Sequence, residues 1–162
     1  MNSYLLSLSL ANCKDIFTIV GVIVTVIALV KGLFEYIIQG RQKRAEHFFN
    51  LRKKLKEKDV FRDICVDLSH DKNLSKLPDA DKRDFLGLFE EVAVMKNSGL
   101  IREDLAYYMF GYYAKACWQS GSFWEGFNRD SLYWQIFKQF ALESEEYWMC
   151  HQADFDPKNI LV

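Results

Sequence analysis

The chain has 162 residues, half of them apolar and 15% aromatic, with eight glycines, two prolines and a formal charge of −1. That composition excludes a disordered chain or a long linker, and it supplies enough apolar surface for a buried core. The four cysteines, Cys13, Cys65, Cys117 and Cys150, form no CxxC pair, which argues against a disulfide framework and against a zinc site.

The first element is apolar. Ile16 to Val30 reads IFTIVGVIVTVIALV without a charge, and Lys31 and Glu35 are the only charges from Ile16 to Ile38. A helix over Ile16–Ile38 would be about 35 Å long, enough for a hydrocarbon core of about 30 Å. Lys31 and Glu35, one turn apart, can pair, or Lys31 can reach the headgroups. No basic stretch precedes the run and no A-x-A site follows it, so a transmembrane helix is expected rather than a cleaved signal peptide. Residues 1–11 are too short to span and are expected at the outer interface. Gly21, Thr25, Ala28 and Gly32 are spaced by 4, 3 and 4, a stripe of small residues that would favour association of transmembrane helices.

Residues 41–58 carry eight basic side chains against two acidic ones, and the chain beyond them is net acidic. The positive-inside rule then places the C-terminal part in the cytoplasm. The expected division is 1–40, an N-terminal segment with its transmembrane helix, and 41–162, a cytosolic α-helical domain with a basic juxtamembrane collar. The collar has two readings. It can dock on anionic lipid, at about 1 kcal/mol per basic residue. Alternatively Arg44, His47, Arg52, Lys53 and Lys54 can converge on a phosphate-bearing ligand, with Tyr107, Tyr112, Trp118 or Trp124 stacking a base. Long double-stranded nucleic acid is not an expected partner, since the acidic remainder would repel it.

Beyond the collar, helical spacing recurs four times. Phe48, Leu51 and Leu55, then Phe61, Ile64, Cys65 and Leu68, predict one long helix or two abutting ones over about 41–69. Phe85, Leu88, Phe89, Val92 and Met95 predict a helix from about Asp79, stopped by Gly99. Leu105, Tyr108, Met109, Tyr112 and Ala116 predict a third over about 102–118 with that face inward. Trp134, Phe137, Ala141 and Trp148 predict a fourth over about 131–150. No period-two alternation and no hairpin dipeptide is present, so the fold class is all-α, an N-terminal transmembrane helix followed by a cytosolic bundle of about four helices.

No catalytic or cofactor motif stands out. His47, His70 and His151 lack metal-ligand spacing, no GxSxG, GxGxxG or GxxxxGK[ST] occurs, and Asp154 with Asp156 is too sparse for a cation site. No metal, no cofactor and no enzymatic activity are expected, and binding, sensing or scaffolding is.

The run Phe85-Leu86-Gly87-Leu88-Phe89-Glu90-Glu91-Val92, continued by Asn97-Ser98-Gly99-Leu100-Ile101-Arg102-Glu103-Asp104-Leu105, Phe110-Gly111, Trp118 and Tyr133-Trp134-Gln135-Ile136-Phe137, resembles a bacterial family of small single-helix membrane proteins whose helical cytosolic domain has no characterised function. The match covers about 85–137, and its motifs are mostly packing residues. In size, topology and basic collar the chain is also similar to the membrane effectors of type III CRISPR systems, although no diagnostic binding motif is matched. This second resemblance implies a membrane-anchored sensor of a cyclic oligoadenylate in antiviral defence. It would sit in a bacterial inner membrane and perturb that membrane through oligomerisation. The implied assembly is a homo-oligomer, a tetramer being suited to a ring of four phosphates. The alternative is a membrane-tethered helical adaptor that recruits a protein partner, its collar on anionic lipid.

Overall fold

A computed structural model describes residues 2–70, 72–151 and 156, with side chains from residue 17 onward. All regular structure among the described residues is helical. The chain divides into two compact units, Met1–Lys43 and Arg44–Val162.

The first unit consists of the opening turns of α1 (Asn2–Glu57). Phe17, Leu29 and Tyr36 are 77, 69 and 76% exposed, and none of the apolar window of this helix is buried. The hydropathy pattern predicts a helix that begins at Ile16 and pauses near Gly40, whereas α1 begins at Asn2 and runs through Gly40. A helical glycine costs only about 1 kcal/mol relative to alanine, and the neighbours Gln39, Arg41, Gln42 and Lys43 are good helix formers.

In the second unit α1 contributes Phe48, Leu51 and Leu55, all buried on one stripe. Lys58 takes an extended backbone (φ −69°, ψ 113°) and α2 (Asp59–Ser69) begins. The sequence thus encodes two abutting helices here rather than one. The apolar face of α2 is buried through Phe61, Ile64, Cys65 and Leu68.

Helix α3 (Asp79–Asn97) starts with Asp79 and Asp81 in its first turn, where carboxylates meet the positive end of the helix dipole. Gly99 ends it at φ +65°. The Gly99 amide donates to the Lys96 carbonyl and the Leu100 amide to the Met95 carbonyl, each at 2.9 Å, so two terminal carbonyls are satisfied by a left-handed glycine.

Helix α4 has three consecutive parts, Glu103–Ala106, a π segment Tyr107–Gly111 and Tyr112–Gln119. A short 3-10 turn, Leu132–Trp134, leads into α5 (Gln135–His151). The segment between α4 and this turn is not a surface loop throughout. Its Phe123 and Trp124 are buried, and the Trp124 indole donates to the Cys117 carbonyl at 2.9 Å.

The core is built from aromatic rings. Phe89 lies 5.0 Å from Phe85, 6.2 Å from Phe110 and 5.8 Å from Phe137, edge to face in each case. Phe61 reaches Phe85 at 5.5 Å and Phe48 reaches Phe110 at 5.4 Å. One chain of rings therefore joins all five helices, with edge-to-face pairs each adding about 0.5–1.5 kcal/mol beyond burial.

One face differs from expectation. Tyr108 and Tyr112, predicted inward, are exposed, while Tyr107, Phe110, Ala114 and Cys117 are buried. The π segment is the cause. It inserts a residue into the helical repeat, so a regular 3.6-residue count drawn through Leu105 arrives on the wrong side after Ala106.

Candidate functional site

Three regions carry the residues singled out by the sequence. The first is the small-residue stripe of α1. The Thr25 hydroxyl donates to the Gly21 carbonyl at 2.9 Å, which hides a polar group within the helix. A β-carbon built on Gly21 or Gly32 meets no atom within 4 Å, so both positions lie open. Lys31 and Glu35 pair at 3.8 Å, as their spacing suggests.

The second region is the basic collar. Arg52, Lys53 and Lys54 are consecutive, and at about 100° per residue they leave the helix on three different sides. Arg52 turns inward. Its Nη1 donates to the Met109 carbonyl within the π segment, and its guanidinium lies 5.8 Å from the Phe110 ring centre. A π turn takes carbonyls out of the regular ladder, and a guanidinium donor satisfies one. Burial draws the Arg52 pKa below its ordinary value, opposed by Tyr113 and Cys65. Lys53 points to solvent and pairs with Glu57 at 3.8 Å. The Lys54 ammonium lies 5.9 Å from the Phe61 ring centre. His47 Nε2 sits 2.9 Å from a Glu91 carboxylate oxygen on α3. Arg44 is half-buried, with no ion pair among the described residues. The five residues surround α1 rather than facing one pocket.

The third region is a cleft of about 450 Å³ between α4 and α5, lined by Tyr107, Tyr108, Gly111, Tyr112, Lys115, Ser144, Glu145, Trp148 and Met149. Of the four aromatics named as stacking candidates, Tyr107 and Tyr112 line it, while Trp118 and Trp124 are buried in the core. The π segment turns Tyr108 and Tyr112 outward onto this cleft, while Tyr107 stays buried beneath it. Lys115 and Glu145 pair at 2.9 Å on its wall. At its floor Gly111 meets Ser144, whose hydroxyl is buried without a hydrogen-bond partner.

Beside the cleft, Tyr107 joins a polar triad. The Lys96 ammonium bonds the Glu143 carboxylate and lies 3.1 Å from the Tyr107 hydroxyl, which donates to the same carboxylate at 3.1 Å. Burial opposes the charged forms of Lys96 and Glu143, but their mutual hydrogen bond wins, so Lys96 is raised and Glu143 lowered from ordinary values. Burial chiefly raises Tyr107. Near the opposite end of α3, the 1%-exposed Lys82 donates to the Glu125 carbonyl at 2.9 Å and fastens the segment after α4.

Among the described residues, no three His, Cys, Asp or Glu side chains stand together in a way that would hold a metal ion. Asp154 lies outside the described residues. Sequence reasoning missed the triad and the buried Ser144, because nothing in local spacing links α3 to α5 or marks a π segment. Comparison with protein-family models, curated proteins and solved structures finds no match to this chain.

Proposed function

We propose that the chain is a single-pass membrane-tethered helical module that binds rather than catalyses, its collar resting on anionic lipid and its helical domain recruiting a protein partner. The observation that carries this reading is the exposed apolar length of α1. An apolar helix of this length in water would be an aggregation site, and the apolar window of α1 is exposed along its described length. The fanned-out cations of the collar support lipid contact, because a charged surface is met from several sides of a helix whereas a single ligand needs convergence. The positive-inside bias supports a cytoplasmic domain and, for a bacterial chain, the inner membrane. The test is extraction of the full chain from membranes. It is expected to resist high salt and alkaline carbonate and to yield only to detergent. Release by either wash would overturn the tether.

The second reading is the cyclic oligoadenylate sensor, and the α4–α5 cleft favours it specifically. Its exposed tyrosines and Trp148 offer faces on which an adenine can stack, beside one ammonium and one carboxylate. Titration of the detergent-solubilised full chain with cyclic tetra-adenylate, against its linear form, separates the two readings. Selective binding of the cyclic form with a shift to a defined oligomer supports the sensor, and its absence leaves the adaptor.

A further inference from the structure

The last turn of α1, the middle of α2 and α4 enclose a notch of about 280 Å³, lined by Leu55, Lys56, Arg62, Cys65, Val66 and Tyr113. Two of these six are cations and none is a carboxylate. The Lys56 ammonium has no ion pair or hydrogen bond with any described residue. Arg62 is held at the rim by Asp59 at 2.9 Å and Asp63 at 3.8 Å, neither of which lines the notch. Arg52 precedes Lys56 by one turn of α1 and stands near enough to Cys65 and Tyr113 for its charge to act on both. The Nε of Arg52 is buried without an acceptor. The Cys65 thiol is pushed up to about 12, chiefly by burial, so it stays neutral and does not offset these charges. Apolar walls at Leu55 and Val66 reduce screening by water.

Two cations line this small concavity, Lys56 unpaired and Arg62 shared with Asp59 and Asp63, and Arg52 adds a third positive charge behind it, an arrangement suited to an anion. Lys56 and Arg62 come from different helices and the Tyr113 hydroxyl from a third, so the fitting ligand presents acceptor oxygens in several directions. A phosphoryl group does so, whereas a planar carboxylate presents only two oxygens. We propose that this notch binds a phosphoryl anion, held between Lys56 and Arg62 with the Tyr113 hydroxyl as a third donor and Arg52 reinforcing the field from behind. Of the five collar residues expected at a phosphate, only Arg52 takes part. The proposal stands apart from the membrane tether and is tested in detergent, where the tether has no role.

A soluble phosphate ester and a phospholipid headgroup share this chemistry. The full chain in neutral detergent is titrated with inorganic phosphate, with AMP and with dihexanoyl phosphatidylglycerol, followed by calorimetry. Saturable binding is expected, weakened about tenfold or more by Lys56→Gln or Arg62→Gln, as for loss of one charged hydrogen bond. Lys53→Gln, outside the notch, is expected to leave it unchanged. Should a glutamine variant lose helical content, Lys56→Arg serves instead and is expected to bind like the parent. The tighter of AMP and the short-chain lipid identifies the natural source. No saturable binding to the folded parent, or equal binding by the folded glutamine variants, overturns the proposal.

Discussion

Gly111→Ala offers a sharp test of how α4 meets α5. A β-carbon at Gly111 would lie 2.0 Å from the Ser144 hydroxyl oxygen and 3.2 Å from the Ser144 β-carbon. The backbone at Gly111 is ordinary right-handed helix (φ −59°, ψ −39°), so no glycine conformation is lost. Alanine therefore gains about 1 kcal/mol of helix propensity. Against this stands an overpacking penalty of about 1–3 kcal/mol, since both partners sit on helix backbones. The expected net effect is a loss of up to about 2 kcal/mol, a drop of up to about 8 °C in Tm for a chain of this size. Ser144→Ala alone removes a buried hydroxyl without a partner and is expected to be neutral or mildly stabilising. In the double variant only the 3.2 Å contact remains, so most of the loss should be recovered. Thermal unfolding followed by far-ultraviolet circular dichroism on all four proteins closes the cycle, with a coupling of about 1–2 kcal/mol expected. Simple additivity, or a Gly111→Ala variant about 1 kcal/mol more stable than the parent, would refute this account of the interface.

Phe89→Ala, at the centre of the ring chain, should cost about 3–5 kcal/mol and is read by denaturant midpoint. Glu143 is lowered, so its contribution is complete above its unfolded value of 4.5 and is lost as pH falls through the folded value. Lys96 is raised, so its contribution is complete below 10.5 and is lost as pH rises through the folded value. Glu143→Gln should flatten part of the acid limb of a Tm–pH curve and cost about 2 kcal/mol near neutrality, less than a fully buried pair because water reaches Glu143. Trp124→Phe should cost about 1 kcal/mol, because the Cys117 carbonyl loses the indole and keeps only the longer 3.3 Å bond from the Ser120 amide, measured by the same unfolding curves. A β-carbon at Gly21 or Gly32 meets no atom within 4 Å among the described residues, so Gly21→Leu and Gly32→Leu bring no clash at the backbone. A fall in cross-linked oligomer in membranes would therefore report contact between α1 helices, and unchanged cross-linking would remove the stripe from any interface.

Where packing follows a simple period, the residues declare it. Phe48, Leu51 and Leu55, and Phe85, Phe89 and Val92, are buried as their spacing predicts, and Gly99 stops α3 where a left-handed residue is needed. The π segment breaks that logic, because its extra residue is set by tertiary contacts such as Gly111 against Ser144, and Tyr108 and Tyr112 emerge outward. Arg52 shows the same limit for the site. Its charge reads as part of a collar, but its direction depends on a carbonyl 57 residues away. The notch draws on α1, α2 and α4, and no local pattern joins Lys56 to Arg62 and Tyr113.

The placement of the tryptophans has a spectroscopic consequence. All four, Trp118, Trp124, Trp134 and Trp148, lie in or after the final turns of α4, and none is in α1. Trp118 and Trp124 are 5.5 Å apart, and the Arg129 guanidinium stands 4.1 Å from the Trp118 ring centre. Intrinsic indole emission therefore reports the second unit and is blind to the apolar helix. A change in emission on adding detergent or lipid would register a response of the second unit itself, with no contribution from indoles in α1.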